Sequence, residues 1–196
     1  MRIESNKHIS SLSDFLSLEQ WNHKVLVCCG HKPLAMSIAT CVALEGSGGT
    51  EHLLGVCTTA HDSLEILKTV QGSVLVLISE VLDDSNGLEL LEQIRKQEKT
   101  DQSIRTILTL EVLNKNVLKH AALCKPNVLL SQRGFQPEVI RHALEAIVNN
   151  TAYIDPLILH VLSGHAPSDV PDLSEREVEV LILVCEGLTN REIGRR

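Results

Sequence analysis

Short apolar runs alternate along the chain with longer segments in which apolar side chains recur every three or four positions. The short runs have the length and composition of strands buried on both faces, and they lie at 25–28, 53–56, 74–78, 104–109 and 128–130. The periodic segments predict helices over 33–45, 61–71, 87–98, 114–123 and 136–149. The chain therefore repeats a strand and a helix five times between residues 25 and 149.

Strict alternation of strands and helices favours a parallel sheet with helices on both faces, joined by right-handed crossovers. Five such repeats fit the flavodoxin-like, doubly wound α/β fold with strand order 2-1-3-4-5. In a sheet of this order, ligands bind outside the carboxyl ends of strands 1 and 3. The chemistry of residues 23–149 is therefore expected at that edge.

Composition narrows the classes of function. The 196 residues include only two Phe, one Trp and one Tyr, which argues against base-stacking platforms for single-stranded nucleic acid. A net charge of −7 argues against binding of nucleic acid driven by overall charge. The sequence has neither an apolar run of 18 residues nor the apolar core of a signal peptide, so we expect a cytoplasmic protein without membrane attachment.

Candidate catalytic groups are sparse. The six cysteines, at 28, 29, 41, 57, 124 and 185, lack C-x-x-C spacing, so we expect most of them to be buried thiols and expect no metal site. The glycine-rich run at 46–50 precedes a strand, which is the wrong place for a phosphate cradle. We expect neither an enzyme nor a cofactor.

Two segments flank the repeating region. Residues 1–22 form an amino-terminal extension with Phe15 and Trp21 in partly helical spacing, and this extension either packs on the domain surface or joins a dimer contact. Residues 150–172 are predicted to be a linker with a short apolar helix over 157–162.

Residues 173–196 begin a second unit. Ser174 and Glu177 have the spacing of a capping box, Gly187 can end that helix, and Thr189 can begin another. Two capped helices joined by a short turn predict the front half of a helix-turn-helix.

The same segment resembles the start of the LuxR/NarL-type DNA-binding domain. The matching positions are Leu173, Arg176, Glu177, Val180, Leu181, Glu186, Gly187, Leu188, Asn190, Glu192 and Ile193. Gly194 stands where the family usually has alanine. The resemblance implies contacts to the DNA backbone in the full-length protein by Thr189, Asn190, Arg191 and Arg195. The chain stops at Arg196, so we expect a helix-turn-helix truncated before its recognition helix.

Residues 23–149 resemble the receiver domain of response regulators, the CheY-like fold, and the order receiver, linker, helix-turn-helix is that of a LuxR/NarL-family regulator of two-component systems. Such a receiver uses an aspartate as phosphoacceptor, an acidic pair that holds Mg²⁺, a switch Thr or Ser and a Lys. The matching positions here are Cys29 and Gly30 for the acidic pair, Ser79 for the phosphoacceptor, Thr109 for the switch residue and Ser131 for the lysine. Because only Thr109 keeps its family type, the resemblance implies a pseudo-receiver with a degenerate phosphorylation pocket.

The nearest carboxylates to that pocket are Glu80, Asp83 and Asp84. The side chain of Glu80 should point to the opposite side of the strand from that of Ser79. The two aspartates are typical of solvated turns. We therefore do not expect them to replace the missing phosphoacceptor.

These observations predict a transcription regulator whose receiver-like domain is not phosphorylated in the usual way. We expect it to act by homodimerisation or by binding a protein partner. The dimer surfaces usual in receivers correspond here to residues near 33–45 and 136–149. The full-length protein is expected to bind DNA. The alternative is a thiol-based redox sensor that uses Cys29, which lies near Cys28 and His31 at the same edge. Neighbouring strand residues face opposite sides, so only Cys29 should reach the pocket.

Overall fold

The computed structural model describes residues 23–45, 52–97, 102–134 and 136–164, together with Arg176, Glu177 and Val180. The strands are β1 Lys24–Cys28, β2 Leu53–Cys57, β3 Gly72–Ser79, β4 Gln102–Leu110, β5 Val128–Ser131 and β6 Tyr153–Ile154. The helices are α1 Lys32–Glu45, α2 Ala60–Thr69, α3 Gly87–Gln97, α4 Lys115–Cys124, α5 Pro137–Val148 and α6 Pro156–Leu162. A 3-10 turn, Gln132–Gly134, follows β5.

The strands form one sheet in the order β2-β1-β3-β4-β5-β6, and every neighbouring pair is parallel. The predicted order 2-1-3-4-5 is confirmed, with a sixth strand added at the β5 edge. All five predicted strand–helix repeats are present. Most of their boundaries differ from the predicted ones by one or two residues.

Helices cover both faces of the sheet, which divides the core into two layers. Along β1, Leu26 and Cys28 belong to one layer, whereas Val25 and Val27 belong to the other. Because side chains alternate between two buried faces, the strand is apolar at successive positions rather than at every second one. This is the physical reason why β1 appears in the sequence as an unbroken apolar run.

The folded unit continues beyond the predicted boundary at residue 149. The backbone N–H of Tyr153 donates to Asn127 O (3.0 Å) and that of Asp155 donates to Leu129 O (2.9 Å), so β6 extends the sheet. Ile158 and Val161 of α6 are 0% and 2% exposed in the core. Part of the predicted linker therefore belongs to the folded unit. The sequence did not predict β6, because a strand of two residues is too short to produce a periodic pattern.

Several predictions fall on residues outside the described ranges. These are the amino-terminal extension 1–22, the remainder of the linker and most of the helix-turn-helix segment. Arg176, Glu177 and Val180 have helical conformation, within the segment predicted to be the first helix of that unit. Within the described ranges, no helix combines the length and apolar character needed to cross a membrane.

Candidate functional site

The strand register brings several predicted site positions to one edge of the sheet. Ser79 of β3 is the register partner of Thr109 of β4, and Cys28 of β1 is the partner of Ile78. A cleft of about 250 Å³ opens there. Its lining consists of Val27, Cys28, Cys29, Leu34, Ile38, Leu77, Ile78, Ser79, Thr109 and Gln132. Among the described residues, no carboxylate and no lysine lines this cleft.

Cys29 lies immediately after β1 and is 3% exposed. Its backbone N–H donates to Cys57 O (3.0 Å), and its Sγ lies 3.7 Å from His31 O as a weak thiol donor. The side chain packs in the β1–α1–α5 layer, whereas that of Cys28 packs in the opposite layer. The predicted alternation of the two cysteines is therefore found in the structure. The prediction that only Cys29 reaches the pocket is wrong, because Cys28 also belongs to the lining of the cleft.

The two neighbours of Cys29 have structural partners of their own. Burial raises the pKa of the Cys28 thiol to about 12, opposed by a hydrogen bond with Ser63. His31 directly precedes α1 and caps its start: its Nδ1 accepts from the N–H of Leu34 (3.3 Å), and its carbonyl accepts from the N–H of Ala35 (3.0 Å). Cys28, Cys29 and His31 therefore do not converge on one chemical site.

Gly30 lies beneath the loop that follows β3. Its N–H donates to Val81 O (3.0 Å), and a Cβ at this position would stand 2.9 Å from the same oxygen and 3.1 Å from Leu82 Cα. An aspartate here would require the loop to move. Gly30 therefore contributes a close backbone contact and no functional group.

Ser79, at the position of the phosphoacceptor, ends β3 and is 8% exposed. Its Oγ donates to Val81 O (2.8 Å), the carbonyl that also accepts from Gly30 N–H. Thr109, its neighbour on β4, is partly exposed, and its carbonyl accepts from Glu80 N–H (2.9 Å). The Ser79 hydroxyl thus holds the loop after β3 in place.

The nearby carboxylates are occupied by backbone amides. Glu80 Oε2 accepts from the N–H groups of Glu111 (2.7 Å) and Val112 (3.2 Å). Asp84 accepts from Ala60 N–H (2.7 Å) and His61 N–H (3.1 Å) at the start of α2, and these bonds lower the pKa of its carboxyl. Both carboxylates therefore serve loop and helix termini instead of the cleft.

Ser131, at the position of the family lysine, is fully buried and does not line the cleft. Its N–H donates to Asp155 Oδ2 (3.1 Å), and its Oγ accepts from Arg133 N–H (3.2 Å). Asp155 is itself 1% exposed and caps α6 through Leu157 N–H (2.8 Å). Sequence reasoning did not single out Asp155, although an aspartate directly before Pro156 is a typical signal for a helix start.

A second apolar cleft, of about 290 Å³, continues from the first between α1 and α5. Ile38, Leu77 and Thr109 line both, and Ile140 and Leu144 of α5 line only the second. On α1, Leu34 of the first cleft's lining is 39% exposed, and Met36, two positions further along and therefore on a different face of the helix, is 59% exposed. The two helices predicted to form a dimer surface therefore carry apolar side chains that the described core does not fully cover.

The predicted DNA-contacting residues, Thr189, Asn190, Arg191 and Arg195, lie outside the described residues.

One sequence relative is a probable transcriptional regulator, ycf29, of Porphyra purpurea. It is 29% identical over 131 residues, a match that covers 61% of this chain and 57% of that protein. The chain thus matches little more than half the length of this relative. No protein-family model matches the sequence.

The structural neighbours include response regulators of the LuxR family, and they confirm the predicted receiver fold. A structure of two RcsB dimers bound to two parallel DNAs has a TM-score of 0.62 at 16% identity, covering 89% of this chain and 82% of that one. The isolated REC domain of RcsB from Salmonella enterica serovar Typhimurium, with phosphomimetic BeF3-, has a TM-score of 0.59 at 15% identity and covers 72% and 99%. A LuxR-family two-component response regulator from Aurantimonas sp. SI85-9A1 has a TM-score of 0.57 at 12% identity and covers 72% and 95%.

Proposed function

We propose that this chain, which has the fold of a response-regulator receiver, belongs to a LuxR-type transcription regulator whose receiver-like domain works without phosphorylation. The observation that carries the proposal is Ser79, a buried hydroxyl bound to Val81 O where a receiver has its phosphoacceptor carboxylate. In this proposal, DNA binding belongs to the carboxy-terminal unit of the full-length protein, and the receiver-like domain supplies protein contacts.

The chemistry of the cleft supports this proposal. Phosphoryl transfer to a receiver needs a carboxylate that can form an acyl phosphate, oxygen ligands for Mg²⁺ and a cation that offsets charge in the transition state. The described lining offers the buried thiols of Cys28 and Cys29, the hydroxyls of Ser79 and Thr109 and the amide of Gln132. None of these groups supplies the negative charge that holds a hard divalent cation.

Acetyl phosphate with Mg²⁺ is expected to leave the mass of the purified chain unchanged, because the described lining of the cleft lacks both a carboxylate nucleophile and anionic oxygen ligands for Mg²⁺. Intact-mass spectrometry measures the adduct, and calorimetry with beryllofluoride and Mg²⁺ measures binding of the phosphate analogue. Ser79→Asp is the matched variant, and it too is expected to remain unmodified because Gly30 and Cys29 still supply no metal ligand. A phosphate adduct on the wild-type chain that disappears in Ser79→Ala would contradict this prediction.

Association through α1 and α5 is the second part of the proposal. The cleft between these helices is lined mainly by apolar side chains, and Leu34, which is 39% exposed in the lining of the adjoining cleft, extends the apolar surface outward. A two-fold contact on this face would bring two DNA-binding units to adjacent half-sites. In the proposal, this face binds either a second copy of the chain or a different protein.

Leu34→Glu is expected to weaken self-association at least about tenfold, because a carboxylate placed in an apolar contact loses its hydration. Sedimentation equilibrium over a range of protein concentrations measures the dissociation constant. Leu159→Glu is the matched control, since Leu159 is 49% exposed but belongs to α6, and it is expected to leave association unchanged. Equal effects of the two substitutions would place the contact elsewhere, and a strict monomer would leave only partner binding.

A thiol sensor is the second candidate function, favoured by the position of Cys29 in the lining of the cleft. Susceptibility of a cysteine to oxidation depends on its thiolate character and its exposure. Cys29 is only 3% exposed, which restricts the access of oxidants. Repeating the sedimentation with and without reductant separates the two functions. Loss of the dimer on reduction in wild type and in Cys41→Ala, but not in Cys29→Ser, would support the sensor. Cys41→Ala is included because Cys41 is an exposed thiol and so a source of incidental disulfides.

A further inference from the structure

A nitrogen, a sulfur and an oxygen ligand converge between α3 and α4. His120 and Cys124 are four positions apart on α4 and so share one face of the helix, which is directed at Glu92 of α3. His120 Nε2 lies 2.7 Å and Cys124 Sγ 3.7 Å from the same carboxylate oxygen, Oε1 of Glu92. All three ligand atoms lie within 4.8 Å of one another.

These separations are near those of a zinc coordination sphere. Tetrahedral Zn²⁺ with bonds of about 2.0–2.1 Å to N and O and about 2.3 Å to S places its ligand atoms about 3.3–3.6 Å apart. The distances of His120 and Cys124 from Glu92 Oε1 fall on either side of that value. Because two of the three ligands share one rigid helix, small rotations of side chains are sufficient to surround an ion.

Three cationic residues, Arg95, Lys96 and Lys125, line the same surface cleft as the three ligands. Lys96 Nζ lies 3.8 Å from Oε2 of Glu92, the oxygen that does not contact His120 and Cys124. Arg95 Nη2 is directed elsewhere and donates to Lys125 O (3.0 Å) and Asn127 Oδ1 (3.1 Å). The side chains of Glu92 and His120 are 38% and 49% exposed, so water can supply the fourth ligand.

We propose that Glu92, His120 and Cys124 form a binding site for a divalent transition-metal ion, with Zn²⁺ as the best match to one imidazole, one thiolate and one carboxylate. Binding would release the thiol proton of Cys124, and the ring proton where His120 is protonated, to solvent, with no change in oxidation state. The bound ion would link α3 to α4 at a place distinct from the cleft beside Cys29. This inference is independent of the proposed function.

The test is a titration of the reduced 196-residue chain with Zn²⁺ against a chromophoric chelator, using a phosphine reductant that does not bind the metal. We expect one ion per chain with a dissociation constant on the order of micromolar or tighter. Cys124→Ala, His120→Ala and Glu92→Gln are each expected to weaken binding at least about tenfold, since each removes a ligand. Circular dichroism verifies that each variant is folded; substitution of the half-buried Glu92 or of the exposed His120 is not expected to unfold the chain.

Cys41→Ala is the matched control, because it removes an exposed thiol from α1 and should leave the affinity unchanged. Replacing Zn²⁺ by Co²⁺ should produce thiolate-to-cobalt charge-transfer absorption that is lost in Cys124→Ala. Mg²⁺ should not compete, because it prefers oxygen ligands. Absence of a one-to-one site, or equal affinity in wild type, His120→Ala and Cys124→Ala, would overturn the proposal.

Discussion

Replacing Asp155 with alanine is expected to lower the free energy of unfolding by about 3 kcal/mol, the sum of a lost helix cap and an unpaired buried amide. The carboxylate accepts from Leu157 N–H at the start of α6 and from Ser131 N–H at the end of β5. Both bonds lie in a region where Asp155 is 1% exposed, so water replaces the lost acceptor poorly. Urea denaturation followed by circular dichroism measures the change.

Asp83→Ala is the control for Asp155, because Asp83 is exposed and the change should stay within about 0.5 kcal/mol. Asp155→Asn keeps one acceptor oxygen and should fall between the two. Hydrogen exchange at the amides of Tyr153 and Asp155 should accelerate in Asp155→Ala, since both are bonded to the β5 side of the sheet. A stability equal to that of Asp83→Ala would show that the cap does not hold β6 and α6.

Gly87→Val is likewise expected to lower the free energy of unfolding by about 3 kcal/mol, at the upper end of the usual cost of overpacking. Gly87 begins α3 against the end of β3, where its N–H donates to Glu80 O (2.7 Å). A Cβ here would collide with the carbonyl oxygen of Ser79 and stand 2.9 Å from Ile78 Cγ2. The substitution would therefore displace the strand end that carries Ser79.

Gln97→Val separates this collision from helix propensity, because it places the same β-branched side chain at the exposed end of the same helix. That change should cost less than about 1 kcal/mol. Thermal unfolding of both variants gives the comparison. Equal destabilisation by the two substitutions would mean that the loss of stability comes from the low helix propensity of valine and not from the steric contact with Ser79 O.

The sequence by itself determined the class and order of the fold, because its information was local and repeated. Strands with two buried faces appear as unbroken apolar runs, and the helices between them keep a 3.6-residue period. Right-handed crossovers then restrict five such repeats to few strand orders. Counting along the strands also brought Cys29, Ser79 and Thr109 to one sheet edge, since parallel strands end on the same side.

Only the tertiary structure decided what those positions do. Gly30 is covered by Val81 O, and Ser131 is turned from the cleft into a buried bond with Asp155, a residue 24 positions later. The approach of Glu92 to His120 joins residues 28 positions apart. Strand β6 has two residues and exists because it pairs with β5. Local patterns determine which elements form, whereas contacts between distant residues depend on how those elements pack.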